Sequence, residues 1–206
     1  AAGLKIAPGI VVTSKDFEIP SNLTFPLFVK PARSGSSRGT TKVKQKSELA
    51  AAVNIALEFD TKVIIEQSVV GKEIECAVLQ ADGKLTVSQV GQILLSDKFE
   101  FYDFQAKYLD NSMQLVVPAD LPAGIEAKIQ QAALTAFKAA GCEGLARIDF
   151  FYSDQGEIII NEINTMPGFT PTSVYPKLIE KSGITYQQLI TKLIQTAQNR
   201  SLSITR

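Results

Sequence analysis

Apolar residues recur along this chain in two periods, and together the periods predict a mixed set of strands and helices. Short apolar runs with strand composition fall at Gly9–Thr13, Leu27–Lys30, Thr40–Lys44, Val63–Gln67, Glu73–Leu79, Leu85–Ile93 and Met113–Val117. Ala81-Asp82-Gly83-Lys84 is hairpin-turn chemistry between two of them. Leu49, Ala52, Val53, Ala56 and Leu57 have helical spacing, with Ser47 as the expected N-cap. A second stripe, Ile125, Ile129, Ala132, Ala133, Ala136, Phe137 and Ala140, predicts a helix opened by Pro122 and closed by Gly141. Leu145–Tyr152 and Glu157–Asn164 read as two antiparallel strands around the turn Ser153-Asp154-Gln155-Gly156. A short helix is expected over Ser173–Glu180. A last one, capped by Thr185, carries Leu189, Ile190, Leu193 and Ile194, and the polar tail from Gln198 frays.

Composition narrows the class without selecting a function. The 206 residues are 45% hydrophobic and 20% charged, ordinary for a globular chain long enough for one large domain or two small ones. Lys+Arg and Asp+Glu balance at 21 each, so charge gives no case for nucleic acid or an anionic membrane. No apolar run reaches membrane-spanning length and no secretory leader is visible. Cys76 and Cys142 lack metal-ligand spacing and read as small hydrophobes in apolar strand surroundings, which fits the cytoplasm. The chain opens Ala-Ala-Gly without a methionine, as the middle of a longer protein would. It contains no histidine. Ser-His-Asp and Cys-His nucleophiles, zincin motifs and histidine bases are therefore excluded, and any catalysis rests on carboxylates, Lys, Arg, Tyr, Ser and metal.

Two stretches carry chemistry. Side chains alternate faces along a strand, so Arg147 and Asp149 share a side that Ile148 and Phe150 avoid. Glu162 and Asn164 likewise share a face, and Asn161 breaks the alternation. Pairing the strands brings Asp149, Glu162 and Asn164 together with Arg147 beside them. This is a hard-oxygen set suited to Mg²⁺ that also holds phosphate oxygens. The plain alternative is a surface hairpin with solvated charges. The second stretch is Phe25–Lys44, where a strand ending at Lys30 runs into a loop of Gly, Ser and Arg. Its order is not that of a Walker A loop. It suits a phosphate-covering flap, against the alternative of a polar hairpin. Glu66 could accept from an adenine amino group or ribose hydroxyls, although alone it reads as a capping or salt-bridge residue. Residues 94–111 form a connection too aromatic to be a slack linker, with Lys107 and Tyr108 as its candidate ligand contacts.

The motifs VKPARSGSSRG, IIEQSVVGKE, FYDFQAKY, GLARIDFF and NEINTMPGFTPTS follow one another in an order and spacing that resemble the ATP-grasp fold. More narrowly, they resemble the central and C-terminal domains of the D-alanine–D-alanine ligase family. The resemblance implies an α/β (α+β) fold, with two subdomains gripping ATP between antiparallel sheets. Residues 1–19 would connect from an N-terminal domain, 20–70 would form the central subdomain with the flap, and 71–206 the C-terminal subdomain. It also implies that Lys30 and Lys107 contact ATP phosphates, that Glu66, Ser68 and Val69 cradle adenine, and that Glu73 binds ribose. Asp149, Glu162 and Asn164 would hold two Mg²⁺ ions, with Mn²⁺ as a substitute. Arg147 would support the acyl-phosphate and tetrahedral intermediates. Ser36 and Tyr108 would stand beside the first D-alanine, Gly168 would supply an oxyanion-hole N–H, and Ser173 would help hold the second substrate's carboxylate. The implied reaction is ATP-dependent joining of two D-alanines for peptidoglycan precursors, with D-serine or D-lactate as alternative acceptors. Tyr108 and the lack of histidine weigh against D-lactate. Implied partners are these small molecules, the N-terminal domain and a second copy of the chain as a homodimer. A nucleotide-binding piece inactive by itself is the non-enzyme alternative. Arg38 stands where relatives are often aliphatic, and Phe104 where they often carry tyrosine.

Overall fold

In the computed structural model, which describes residues 2–95 and 113–200, packing divides the chain into two units. One unit holds residues 6–70, 94–95 and 113–114, and the other holds residues 2–5, 71–93 and 115–200.

The first unit is a four-stranded antiparallel sheet in the order β1-β4-β2-β3, made of β1 (Gly9–Val12), β2 (Leu27–Pro31), β3 (Thr41–Val43) and β4 (Val63–Gln67). Strand alternation sets its two faces. Leu27, Val29, Val43, Val63 and Ile65 are buried against Leu49, Ala52, Val53 and Ala56 of helix α1 (Leu49–Leu57). Phe28, Lys30, Lys42, Ile64 and Glu66 take the other face by register. The helix does not start at Ser47. The Glu48 carboxylate accepts the Lys44 N–H at 2.8 Å, and a 3-10 turn over Lys46–Glu48, with Gln45 at its N-cap, leads into α1. The backbone N–H of Lys44 holds the Glu48 carboxyl below the usual carboxylate range.

The second unit is built on a six-stranded antiparallel sheet. Its strands are β5 (Gly71–Ala81), β6 (Lys84–Val87), β7 (Gly91–Leu95), β8 (Met113–Val116), β9 (Leu145–Ser153) and β10 (Ile158–Asn164). The order is β10-β9-β5-β7-β8, with β6 also on β5. The expected return strand 85–93 is split at Ser88–Val90. The fully buried Ser88 hydroxyl accepts the Ala77 N–H at 2.9 Å, and Glu126 Oε1 accepts the Val90 N–H at 3.1 Å. Side chains thus satisfy backbone groups that a continuous ladder would have paired.

Helix α2 (Ile125–Ala139) covers one face, burying Ile129, Ala133, Ala136 and Phe137 against Ile74, Cys76, Val78, Ile148 and Phe150. It starts later than Pro122. The Ile125 N–H bonds Pro122 O at 3.1 Å, and Gly124 sits at φ 80°, so a turn precedes the helix. Ala140, expected in the stripe, is the exposed C-cap. Gly141 at φ 63° closes the helix, and the Cys142 N–H reaches Phe137 O at 3.0 Å. Cys142 therefore lies in a helix-to-strand loop, not in a strand. Both thiols are free, and burial pushes that of Cys76 up to about 12. Helices α3 (Val174–Lys181) and α4 (Tyr186–Asn199) also contact β5. Thr185 caps α4 with a full capping box, Leu189 is buried, and Ile194 is exposed. No described helix is long and apolar enough to cross a membrane.

Candidate functional site

The β9–β10 hairpin assembles its polar cluster by register. Glu162 lies opposite Asp149, Asn164 opposite Arg147, and Ile163 opposite Ile148. Opposed residues share a face, so the four polar side chains stand together while Ile148 goes to the core. The misplaced Asn161 has a structural cause. Ile160 pairs with Phe150 and Glu162 with Asp149, leaving Asn161 as the extra residue of a β-bulge. Without the bulge, Ile160 and Ile163 would point to opposite faces. With it, both pack on the core beneath the hairpin while Glu162 keeps its place beside Asp149.

Arg147 is the centre of the cluster. Its Nε and a terminal nitrogen donate to the two oxygens of Asp149 at 2.8 and 2.7 Å, a bidentate pair. The same Nε lies 2.9 Å from Glu75 Oε2, and Glu162 Oε1 is 4.0 Å from the terminal nitrogen. Asn164 Nδ2 donates to Asp149 Oδ2 at 3.0 Å and to Glu162 Oε1 at 3.1 Å. Exposure grades outward, from 6% for the Glu75 side chain through 11% for Asp149 to 44% for Glu162. Burial pushes the Asp149 carboxyl up, against the pull of Arg147, and Glu162 adds to the rise. Burial also opposes charge on Arg147, but Asp149, Glu75 and Glu162 outweigh it and hold the guanidinium firmly protonated.

This donor set fits Mg²⁺ shared with phosphate oxygens. No group of three or more His, Cys, Asp or Glu among the described residues forms a cage for a metal by itself. Asp149 and Glu162 offer carboxylate oxygens, and Asn164 offers its amide oxygen once the amide turns over. One or two carboxylates completed by phosphate oxygens is how Mg²⁺ is usually held.

Glu75 is the residue that sequence reasoning missed. It lies opposite Asp149 on β5, and Glu73 shares its face. Glu73 and Glu75 are two apart on one strand, but β5 is buried on both faces, so alternation does not single Glu75 out. Glu73 itself sits opposite Phe151, on the Asp149 side of the sheet.

In the other unit, Lys30 Nζ lies 2.6 Å from Glu66 Oε1, both on the face away from α1. Expected phosphate and adenine contacts are thus partners of each other. Gly9 opposes Glu66, and a Cβ there would stand 2.9 Å from Glu66 Cβ, so glycine leaves that side chain its room. Ser68 and Val69 follow β4, with the Ser68 N–H on Pro26 O at 3.0 Å. In the flap, Ser36 and Ser37 take φ of 57° and 55°, a left-handed turn. Both flap arms are fixed at the root. Arg33 pairs with Asp60 through side chain and backbone, and the Arg33 guanidinium holds that carboxyl well below its usual range. Arg38 lies over the Phe59 ring at 5.4 Å. The loop's arginines are therefore engaged with residues 59 and 60.

Gly168 and Ser173 meet in the loop after the hairpin. A Cβ on Gly168 would stand 2.6 Å from Ser173 Oγ, which accepts the Thr170 N–H at 3.0 Å. Lys107 and Tyr108 lie outside the described residues.

Residues 1–195 match the protein family described as D-ala D-ala ligase C-terminus. The chain is 47% identical over 216 residues to a D-alanine–D-alanine ligase of Arthrobacter sp. strain FB24, covering 99% of this chain and 56% of that protein. It is 47% identical over 206 residues to D-alanine–D-alanine ligase A of Escherichia coli, covering 97% and 56%. Among solved structures, a D-Ala:D-Ser ligase from Enterococcus faecalis aligns with TM-score 0.81 and 44% identity, over 95% of this chain and 57% of that one. A D-alanine–D-alanine ligase from Coxiella burnetii aligns with TM-score 0.77 and 33% identity, over 95% and 52%. The chain spans about half the length of the curated relatives it matches.

Proposed function

The chain belongs to the D-ala D-ala ligase C-terminus family, and from that premise we propose that it supplies the nucleotide- and metal-binding residues of an ATP-dependent ligase joining two D-alanines. The observation that carries this reading is the convergence of Asp149, Glu162, Asn164 and Arg147 on one hairpin face. In the proposed reaction a carboxylate oxygen of the first D-alanine attacks the γ-phosphorus of ATP, and ADP leaves. The amine of the second D-alanine then attacks the carbonyl carbon of the acyl phosphate, and phosphate and a proton depart. Bound Mg²⁺ supplies neutralisation of phosphate charge.

The chain's own residues position and polarise. Lys30 exchanges Glu66 for a phosphate oxygen, and Lys107 adds a second cation. Glu66, Ser68 and Val69 line the adenine, and Glu73 takes the ribose hydroxyls. Asp149, Glu162 and Asn164 hold two Mg²⁺ ions. Arg147 stabilises negative charge on the reacting acyl group, and the Gly168 N–H serves its oxyanion. Ser36 and Tyr108 orient the first D-alanine, and Ser173 takes the carboxylate of the second. None of these steps needs a histidine. The product is a peptidoglycan precursor, and its ATP-dependent synthesis belongs to the cytoplasm. D-Serine as acceptor is a second reading, favoured by the likeness to the E. faecalis D-Ala:D-Ser ligase.

The test has two arms. Calorimetry on this chain should detect Mg²⁺-dependent ATP binding. A protein containing this chain within the full length of its relatives should release phosphate with D-alanine and yield D-alanyl-D-alanine by mass spectrometry. Absence of nucleotide binding overturns the reading. A mixed product with D-serine, formed in preference to the D-alanine dimer, moves the acceptor assignment.

A further inference from the structure

Arg147 and a divalent cation would draw on the same carboxylate. Both oxygens of Asp149 now accept from the guanidinium at 2.8 and 2.7 Å. A metal ion drawing on Asp149 weakens that pair and places like charges near each other. Arg147 then needs a second anion to stay in place. Glu75 is that anion. It is 4% exposed, on the central strand β5 opposite Asp149, with Oε2 2.9 Å from Arg147 Nε. It lies deeper than Asp149 and on the far side from the outward-facing Glu162. Such burial of a carboxylate is sustained by a paired cation, and Arg147 is within ion-pair reach.

We propose that Glu75 is a positioning residue: it retains Arg147 on the sheet face when a divalent cation occupies Asp149 and Glu162, and so lowers the cost of the cation taking Asp149. The inference rests on the reading of Asp149 and Glu162 as metal ligands. Glu75 itself touches neither metal nor substrate in this scheme. It acts through the guanidinium, whose Nε it faces at 2.9 Å.

Two substitutions separate contact from charge. E75D keeps the charge but draws the carboxylate back by about one C–C bond, ~1.5 Å, beyond reach of Arg147. E75Q keeps the length and an acceptor oxygen but removes the charge. The probe is the Mn²⁺ complex of AMP-PNP, a non-hydrolysable ATP analogue. The complex is titrated with the 206-residue chain while water-proton relaxation is followed. Metal-free AMP-PNP is measured in parallel by calorimetry, after circular dichroism has confirmed folding. Both variants should bind the Mn²⁺ complex roughly tenfold more weakly, a coupling typical of residues in one ion-pair network, with metal-free affinity unchanged. Equal losses with and without Mn²⁺ would make Glu75 merely structural and overturn the inference. So would E75D binding like the wild type, since that would mean only the charge matters. Failure of the wild type to bind the Mn²⁺ complex better than the free analogue would overturn the metal assignment and this inference with it. If E75Q alone folds, a tenfold metal-specific loss supports the inference and wild-type affinity refutes it.

Discussion

Replacing Arg147 with methionine tests whether the cluster is held by one cation among several carboxylates. Methionine keeps much of the side-chain volume and removes all the charge. The Arg147 side chain is 16% exposed, and its main partners Glu75 and Asp149 are 6% and 11% exposed. Taking away one partner of such a buried pair leaves charges with neither water nor counter-ion, and typically costs about 3–5 kcal/mol. For a chain of this size each kcal/mol moves the melting temperature by about 2–4 °C, so R147M should melt roughly 6–20 °C lower. The effect carries a pH signature. Burial pushes the Asp149 carboxyl up even with Arg147 present. A carboxyl whose folded pKa exceeds its unfolded value contributes stability below the unfolded pKa and loses it as pH rises through the folded one. Removing the guanidinium pushes it further up. The deficit of R147M against the wild type should therefore be largest at neutral and alkaline pH and shrink as pH falls toward the carboxylate range. Thermal unfolding followed by circular dichroism at several pH values reads both quantities. A deficit below about 1 kcal/mol, or one that does not change with pH, would refute the argument, because an unimportant surface pair behaves that way.

Three further outcomes are expected. Lys30→Met should weaken ATP in calorimetry by less than the roughly tenfold of a whole charge-assisted hydrogen bond, because the phosphate contact replaces the Glu66 ion pair, while adenosine is affected much less; equal weakening of both would make Lys30 structural. Glu162→Gln should raise the Mg²⁺ concentration needed for ATP binding while costing under about 1 kcal/mol in denaturant unfolding, because that side chain is 44% exposed; unchanged Mg²⁺ dependence would remove Glu162 from the metal site. Gly39→Ala should destabilise by at least ~1–2 kcal/mol, since Gly39 is at φ 75° and a Cβ would stand 2.5 Å from the Phe59 ring; wild-type stability would show that the flap root is not fixed there.

Much of the fold was legible because strands and helices leave different periods in the sequence. Val63–Gln67 is found at the expected bounds, and the Asp82-Gly83 turn has the two positive φ values its residues favour. Element starts were harder to read, for a local reason. Ser47 and Pro122 are good openers by type, but the Glu48 side chain and the left-handed Gly124 determine where winding begins. These are contacts and dihedrals that residue preference does not contain. The split at Ser88 is of the same kind, since it depends on a hydroxyl meeting the Ala77 N–H eleven residues back along the chain.

The candidate site divides along the same line. Which residues share the hairpin face was readable from alternation alone, and the register bears out that grouping. Asn161 was readable only as an anomaly, because a bulge becomes visible once the partner strand is in place. Glu75 was hidden by its neighbours, since β5 is buried on both faces and its apolar run obscures the alternation. Pairing was not readable either. Lys30 looked like a cation waiting for phosphate, yet it lies against Glu66, and Arg147 lies against Asp149. This changes what ligand binding can gain. A phosphate that takes Lys30 replaces an existing ion pair, so the net gain is the difference between two contacts and not the whole of one. The Arg147 cluster differs, because Glu75, Asp149 and Glu162 outnumber their one arginine. A divalent cation there would add compensating charge where carboxylates are in excess. Metal, more than lysine, should therefore determine how tightly the nucleotide is held.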